Sequence, residues 1–375
     1  MDMSAAGVVA VVFEGGQNHS SIEREMARVR KELTLDSCEK FLAVQGMNDV
    51  ILCTTYADLA ARAREMGVTV EYEAVGDDFH FGSRLRDIVE KYRLERVIYA
   101  GGVAAPLITA EELAGVAELL VSEERVVVMN NVQSADLIGF APAQILGEIP
   151  LPAHDNALGW ALRDAGCKRH LIPNSARVNF DIDTPTDILI LSLAPDLGRR
   201  GREALTSLPW DPSRLLRALD LLAQDSVEML VAGRVGPSVI THINMNFSHR
   251  VRVISEERGM KALGRDERGE VVSFLGHLLE LAGPERLIAL IESTCQVAFI
   301  DTRVMFHHLK RKLSDHDRFH SDLGQWEVIS DDMLRQFTRA CQDSSLPIIL
   351  GGHSLVSGGL WLLADRVIRQ REPGR

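Results

Sequence analysis

The chain has 375 residues, 46% of them hydrophobic and 25% charged, and carries a net charge of −12. That length is more than one core usually serves, so two domains are expected. The acidic balance argues against nucleic acid or an anionic membrane as the main partner, because both reward clustered Lys and Arg.

No run of 18 apolar residues offers a membrane span, and the opening residues lack the basic flank of a signal peptide. Five scattered cysteines, odd in number and without C-x-x-C spacing, fit reduced thiols in a cytoplasmic protein. An anionic substrate would have to be held by local arginines or backbone amides.

Residues 8–13 form a β-branched run followed by Gly15-Gly16, the pattern of a buried strand and a turn. Ser20-Ser21-Ile22-Glu23 reads as a capping box, and Ile22, Met26, Val29 and Leu33 keep helical spacing after it. Arg24, Arg28 and Lys31 share another stripe of that helix. They either add charge to a phosphate seat at its N-terminus or form a solvated face paired with neighbouring glutamates. Strands at 49–54, 68–72, 96–100 and 126–129 then alternate with helices at 56–66, 80–92 and 110–120. Such alternation predicts an α/β fold with a largely parallel sheet covered on both faces.

The segment 175–187 sets Asp181 and Asp183 side by side on a short extended stretch. Thr184-Pro185-Thr186-Asp187 then opens a helix, because Pro suits a first turn and Asp suits the positive end of the dipole. Acids in that position are either solvated around a cap or seat Mg²⁺ (or Mn²⁺), which takes one or two carboxylates plus substrate phosphates. Ligands in such sheets sit at the carboxyl ends of strands. The candidates there are Gly15 and Gly16, Gly101 and Gly102, Asn130 and Asn131, and Asp181 with Asp183.

Three stretches carry a family resemblance: the opening strand with Gly15-Gly16, Tyr99-Ala-Gly-Gly-Val-Ala-Ala-Pro-Leu107, and Asn179-Phe-Asp-Ile-Asp-Thr-Pro-Thr-Asp187. With them, residues 7–195 resemble nucleotidyltransferases of the glycosyltransferase-A-like fold, of the molybdenum-cofactor and phospholactate guanylyltransferase type. The resemblance implies a nucleotide-diphospho-sugar-transferase-like (Rossmann-like) parallel or mixed sheet. It also implies a metal on Asp181 or Asp183, a nucleotide lined by Gly15 and Gly16, and a triphosphate neutralised by Lys31 or Arg24. The sequence departs from the family in two places. Residues 102–106 carry no acid, with Ala104 in its stead, and His19 and Arg24 replace a tighter Gly/Arg loop. Asp136 is a candidate replacement for the missing acid.

Residues 194–210 mix Pro, Gly and Arg and break the periodicity, dividing a domain at 1–195 from a connecting segment at 196–225 and a second α/β domain at 226–375. Strands are expected there at 227–232, 249–254, 296–300 and 346–350, with helices at 238–246, 271–292, 331–341 and 356–369. Arg234, Arg258 and Arg303 each follow a strand end, and Gly351-Gly352 with Ser354 precedes the last helix. The set reads as an anion pocket or as interdomain salt bridges. The stretch 314–322, with His316 and His320 and with His307 and His308 nearby, reads as a polar surface loop, or as a metal site if His-x3-His at 316 and 320 lies on a helix. The run Gly352-His-Ser-Leu-Val356 is not a nucleophile elbow, since its fifth residue is not Gly and no His follows His353.

Three functions remain open. One is transfer of a nucleotidyl group, with Mg²⁺, from a nucleoside triphosphate to a small anionic acceptor, using Lys31, Arg24 and Asp183. Another is a catalytically degenerate module that binds a nucleotide or sugar phosphate. The third is action on a phosphorylated metabolite by the C-terminal domain alone.

Overall fold

The computed structural model describes residues 7–73, 79–132 and 135–371. Its contacts divide the chain into two compact units. The first comprises Met1–Asn18, Ala27–Val178 and Leu197–Ala204; the second comprises His19–Met26, Asn179–Asp196 and Leu205–Arg375. Residues 179–196, and with them the Asp181/Asp183 segment, therefore pack with the C-terminal half. In the connecting stretch, helices form at Arg199–Thr206 and Ser213–Leu222.

The first unit is built on a seven-stranded mixed sheet. Its strands are β1 (Val8–Glu14), β2 (Met47–Thr54), β3 (Thr69–Tyr72), β4 (Arg96–Gly101), β5 (Val126–Met129), β6 (Leu137–Ala141) and β7 (Lys168–Leu171), in the order β3-β2-β1-β4-β6-β5-β7. β1 is central because it is apolar on both faces, as parallel strands must be when helices cover both sides. Val8, Ala10 and Val12 join one core with Leu35, Leu52 and Ile98. Val9 and Val11 join the opposite core with Phe81, Leu85 and Ile88. The period of two is thus read out as two separate apolar layers.

Two strands escaped the sequence pattern. β6 runs antiparallel between β4 and β5, and among the described residues no helix lies between β5 and β6 to announce a crossover. β7 (KRHL) is an edge strand whose Lys168, Arg169 and Leu171 are exposed, so it has no alternation to find.

At the carboxyl edge of this sheet the backbone of Gly102 is wedged against its neighbours. A Cβ there would lie 2.6 Å from the Glu14 Cβ and 2.7 Å from the Thr34 Oγ1. Glu14 cannot yield, because it is buried and held by Arg30 at 3.1 Å through both guanidinium contacts. Gly102→Ala is therefore expected to cost about 1–3 kcal/mol by overpacking. Urea unfolding checks it, and an unchanged midpoint would contradict the packing described.

The second unit has a four-stranded parallel sheet, β8 (Glu228–Gly233), β9 (Arg250–Ser255), β10 (Val297–Asp301) and β11 (Ile348–Gly351), ordered β11-β10-β8-β9. β9 is an edge strand with Arg250 and Arg252 exposed. One core packs Leu230, Ala298, Ile300 and Leu350 of this sheet against Leu279, Leu287, Leu334 and Phe337 of the helices.

The long helix expected over 271–292 is two helices, Phe274–Ala282 and Pro284–Glu292. Gly283 adopts φ 77° at the junction, and Pro284 opens the second helix at its first position. The stretch 314–322 is not a loop but a helix, Asp315–Asp322. Ser314 caps it by accepting from the Asp317 N–H, and two early acids favour its positive end. Polar composition hid a helix that is held by its cap.

Candidate functional site

In the first unit the six glycine and asparagine candidates lie at three strand ends, those of β1, β4 and β5. Gly15 and Gly16 follow β1 and are exposed. The Gly16 N–H donates to Thr55 Oγ1 at 3.2 Å, and Asn18 donates to the Tyr56 hydroxyl at 3.2 Å, so the turn is pinned to the end of β2. Lys31 lies over the Tyr56 ring at 5.3 Å and pairs with Asp58 at 2.5 Å. Asp58 is largely exposed, and a pair of that kind is worth about 1 kcal/mol or less.

The Gly101 N–H donates to the Asp136 carbonyl at 3.1 Å and the Gly102 N–H to the Phe13 carbonyl at 2.8 Å. Asn130 is structural: its Oδ1 accepts from the Asp136 and Leu137 amides, and its Nδ2 donates to the Val178 carbonyl. Asn131 is partly exposed beside it. The acid-free stretch after Gly102 is interior, with Val103, Ala104 and Ala105 all buried.

Carboxylates nevertheless converge near the end of β4. Asn156 donates to Asp155 Oδ1 at 2.9 Å and to Asp136 Oδ1 at 3.4 Å, and the Tyr99 hydroxyl donates to Asp155 Oδ2 at 2.9 Å. Asp136 was legible as a spare acid. Asp155, which opens a single 3-10 turn, Asp155–Ala157, was not.

Arg24 groups with the second unit rather than with Lys31, and its side chain donates to the His19 carbonyl at 3.1 Å. Asp181 and Asp183 also belong to the second unit, where they meet residues read independently as an anion pocket. The Asp181 N–H donates to Ser354 Oγ at 3.1 Å. Asp181 Oδ1 accepts from the Ile182 N–H at 2.8 Å, and Asp183 is exposed. The segment is not a strand: Ala176–Asn179 is a single helical turn and residues 180–183 are irregular. Behind it the expected helix starts with Pro185 in its first turn, and Thr184 and Asp187 form a capping box. Asp187 is fully buried, its Oδ1 has no hydrogen-bond partner among the described residues, and burial next to Asp183 pushes its carboxyl well above the usual range.

The arginines at these strand ends divide into two kinds. Arg234 and Arg303 are scaffold. Arg234 forks onto Asp301 at 2.6 and 3.1 Å, and Arg303 forks onto Asp322 at 2.8 and 2.6 Å, both pairs being buried. Burial opposes the charge on Asp301, yet Arg234 holds its carboxyl below the ordinary value.

Arg258 and Arg318 are different. Each has a buried Nε with no hydrogen-bond partner among the described residues. Arg318 pairs with Asp315 one turn away on its own helix. Burial lowers Arg258, and burial with the Arg303 charge brings Arg318 down to about 10. Arg318 feels the charges of Asp183, Asp322 and Arg234, while His353 feels Arg234, Asp301, Asp183 and Arg258. These groups therefore share one electrostatic neighbourhood at the carboxyl edge of the second sheet. Gly351 and Gly352 pack closely on Thr186 and Thr184, at 3.5 and 3.1 Å for a Cβ built on each. Arg258 was visible beside a glycine in the sequence; Arg318, inside an apparent loop, was missed.

His316 and His320 stack edge to face at 4.3 Å, but His316 Nε2 reaches the Val328 carbonyl at 3.3 Å and His320 Nδ1 reaches Gln325 at 2.6 Å. They do not converge with a third ligand among the described residues.

No family model matches this chain, and no curated protein matches it. Solved structures do resemble it. A cytidylyltransferase from Leptospira borgpetersenii serovar Hardjo-bovis is 17% identical, with 53% of this chain and 92% of that one covered, at a TM-score of 0.38. The 4-diphosphocytidyl-2C-methyl-D-erythritol synthase from Anaerococcus prevotii is 12% identical over 49% and 94%, at 0.36. CMP:2-keto-3-deoxy-manno-octonic acid synthetase, complexed with CTP, is 12% identical over 44% and 88%, at 0.33.

Proposed function

We propose that this protein transfers a nucleotidyl group from a nucleoside triphosphate to a small anionic acceptor, and that the second unit holds the acceptor's phosphate or carboxylate. The observation that carries the reading is the pair Arg258 and Arg318, two desolvated guanidiniums with unpartnered Nε atoms at the carboxyl edge of a parallel sheet. A buried donor left unmade costs about 1–3 kcal/mol. An anion supplies the missing acceptors, and a planar guanidinium fork suits phosphate and carboxylate. The nucleotide belongs at the carboxyl edge of the first sheet, where Gly15 and Gly16 are open and Lys31 can exchange Asp58 for a phosphate.

The acceptor oxygen attacks the α-phosphate, the bond to the bridging oxygen breaks, and pyrophosphate leaves. Positioning and charge stabilisation supply the rate. The hard oxygens of Asp136 and Asp155 in the first unit, or of Asp183 in the second, suit Mg²⁺ (or Mn²⁺) shared with substrate phosphates. Bound there, the ion would neutralise phosphate charge.

The test has two arms. Pyrophosphate release is measured with each nucleoside triphosphate, Mg²⁺ and a panel of phosphorylated acceptors, and calorimetry follows triphosphate binding. Arg258→Ala and Arg318→Ala should each weaken binding of inorganic phosphate at least 10-fold while leaving triphosphate binding intact. Absence of heat with every triphosphate would end the proposal for the first unit. Unchanged phosphate affinity in both variants would end it for the second.

A second reading rests on the buried, acid-free stretch Val103–Ala105. On that reading the first unit binds a nucleotide or sugar phosphate without transferring it. Binding indifferent to Mg²⁺, with no pyrophosphate from any acceptor, would select it.

A further inference from the structure

We infer that His277, Glu280 and His308 form a surface site for a transition-metal dication, with Zn²⁺ the best match. This goes beyond the nucleotidyl-transfer reading and involves none of its residues. His277 and Glu280 are three apart on the helix Phe274–Ala282 and so share a face; His308 closes the helix Thr302–His308. His277 Nδ1 lies 3.5 Å from Glu280 Oε2, and His308 Nε2 lies 3.3 Å from the same oxygen. All three ligand atoms fall within 4.8 Å of one another.

Those separations suit a metal. Bonds of about 2.0–2.1 Å in a tetrahedral arrangement place ligand atoms about 3.3–3.4 Å apart. Two of the three separations, 3.5 and 3.3 Å, stand near that spacing already, and the third lies within 4.8 Å. Two imidazoles and one carboxylate favour Zn²⁺, Cu²⁺, Ni²⁺ or Co²⁺ over Mg²⁺ and Ca²⁺, which prefer all-oxygen sets. Three protein ligands leave a fourth position, and the exposure of His277 and Glu280, each more than half open to solvent, keeps that position accessible.

The site also has a rigid wall. The His308 side chain is only 10% exposed, and its ring lies edge-on to His277 with centroids 4.2 Å apart. Gly276 makes room for it: a Cβ at that position would stand 2.9 Å from His308 Cγ, with Cδ2 nearer still. The glycine thus acts as a positioning residue for one ligand. The plain alternative is a pair of His–Glu contacts that hold the two helices together without an ion. The two differ in what happens when metal is added.

The experiment uses the full chain, without an affinity tag, stripped with chelator. Calorimetry with ZnCl₂ should show one equivalent bound with micromolar or tighter affinity, unaffected by millimolar Mg²⁺. Co²⁺ should give the visible d–d absorption of a four- or five-coordinate ion, bleached by Zn²⁺. His277→Ala and His308→Ala should each weaken Zn²⁺ at least 10-fold, and Gly276→Ala should weaken it by displacing His308. Circular dichroism verifies that each variant folds; His277 is exposed, so His277→Ala keeps the test free of folding effects at the less exposed His308 and Gly276. Full Zn²⁺ stoichiometry and affinity retained in the double variant His277→Ala/His308→Ala would place the ion elsewhere and overturn the site. Failure of the folded wild-type chain to take up Zn²⁺ or Co²⁺ would do the same.

Discussion

Replacing Asp322 by Ala is expected to remove about 3–5 kcal/mol of stability, seen in the urea transition of the second unit. The physical reason is the state of Arg303 once its partner is gone. The Asp322 side chain is wholly inaccessible and that of Arg303 is 7% exposed, and their two contacts are 2.8 and 2.6 Å. Truncating the acid leaves a guanidinium buried with, among the described residues, only Thr302 Oγ1 at 3.0 Å and the Gly351 carbonyl at 3.4 Å as acceptors. Desolvation of an unpaired charge dominates over the modest volume lost. The double variant Arg303→Met/Asp322→Leu should recover most of the deficit, since apolar replacement of both partners is often neutral. A loss below about 1 kcal/mol in the single variant would show that the pair is hydrated.

The second large effect is on pH. Burial, reinforced by the positive charge of Arg234, brings the His353 imidazole down to about 4 from an ordinary value near 6.5. Between those values the unfolded chain binds a proton that the folded chain refuses. Stability is therefore whole above pH 6.5 and falls as pH drops from 6.5 to 4, by up to about 3 kcal/mol for this one group. His353→Gln keeps a polar side chain and deletes the titration. The melting temperature of the variant should decline less over that window than that of wild type. Identical pH profiles would mean that His353 is hydrated and titrates normally.

Much of the first sheet could be read from residues 8–13, 49–54, 96–100 and 126–129, because strands buried on both faces are continuous apolar runs. What periodicity missed was structure held by tertiary contact. β7 is set by pairing with β5, not by its own side chains. The helix Asp315–Asp322 is set by its Ser314 cap and by Asp317 accepting from the Ser330 and Asp331 amides. The acids Asp181 and Asp183 were recognisable as candidates, but the unit they join depends on long-range contacts such as that of the Asp181 amide with Ser354. For the arginines, proximity to a strand end was legible. Their division into locked forks on Asp301 and Asp322 and guanidiniums at 258 and 318 that leave a buried Nε unmet was not, because the partners arrive from distant positions.

The basic side chains along β7 and β9 have a meaning for the behaviour of concentrated solutions. A bare strand border is a template onto which another molecule can zip its own backbone. Lys168, Arg169, Arg250 and Arg252 put hydrated charged side chains along two such borders, Lys168 paired with Glu123 and both arginines of β9 with Glu228. A second copy arriving there would have to strip water from these charged groups, so self-polymerisation through either border is opposed by their desolvation before any backbone pairing begins.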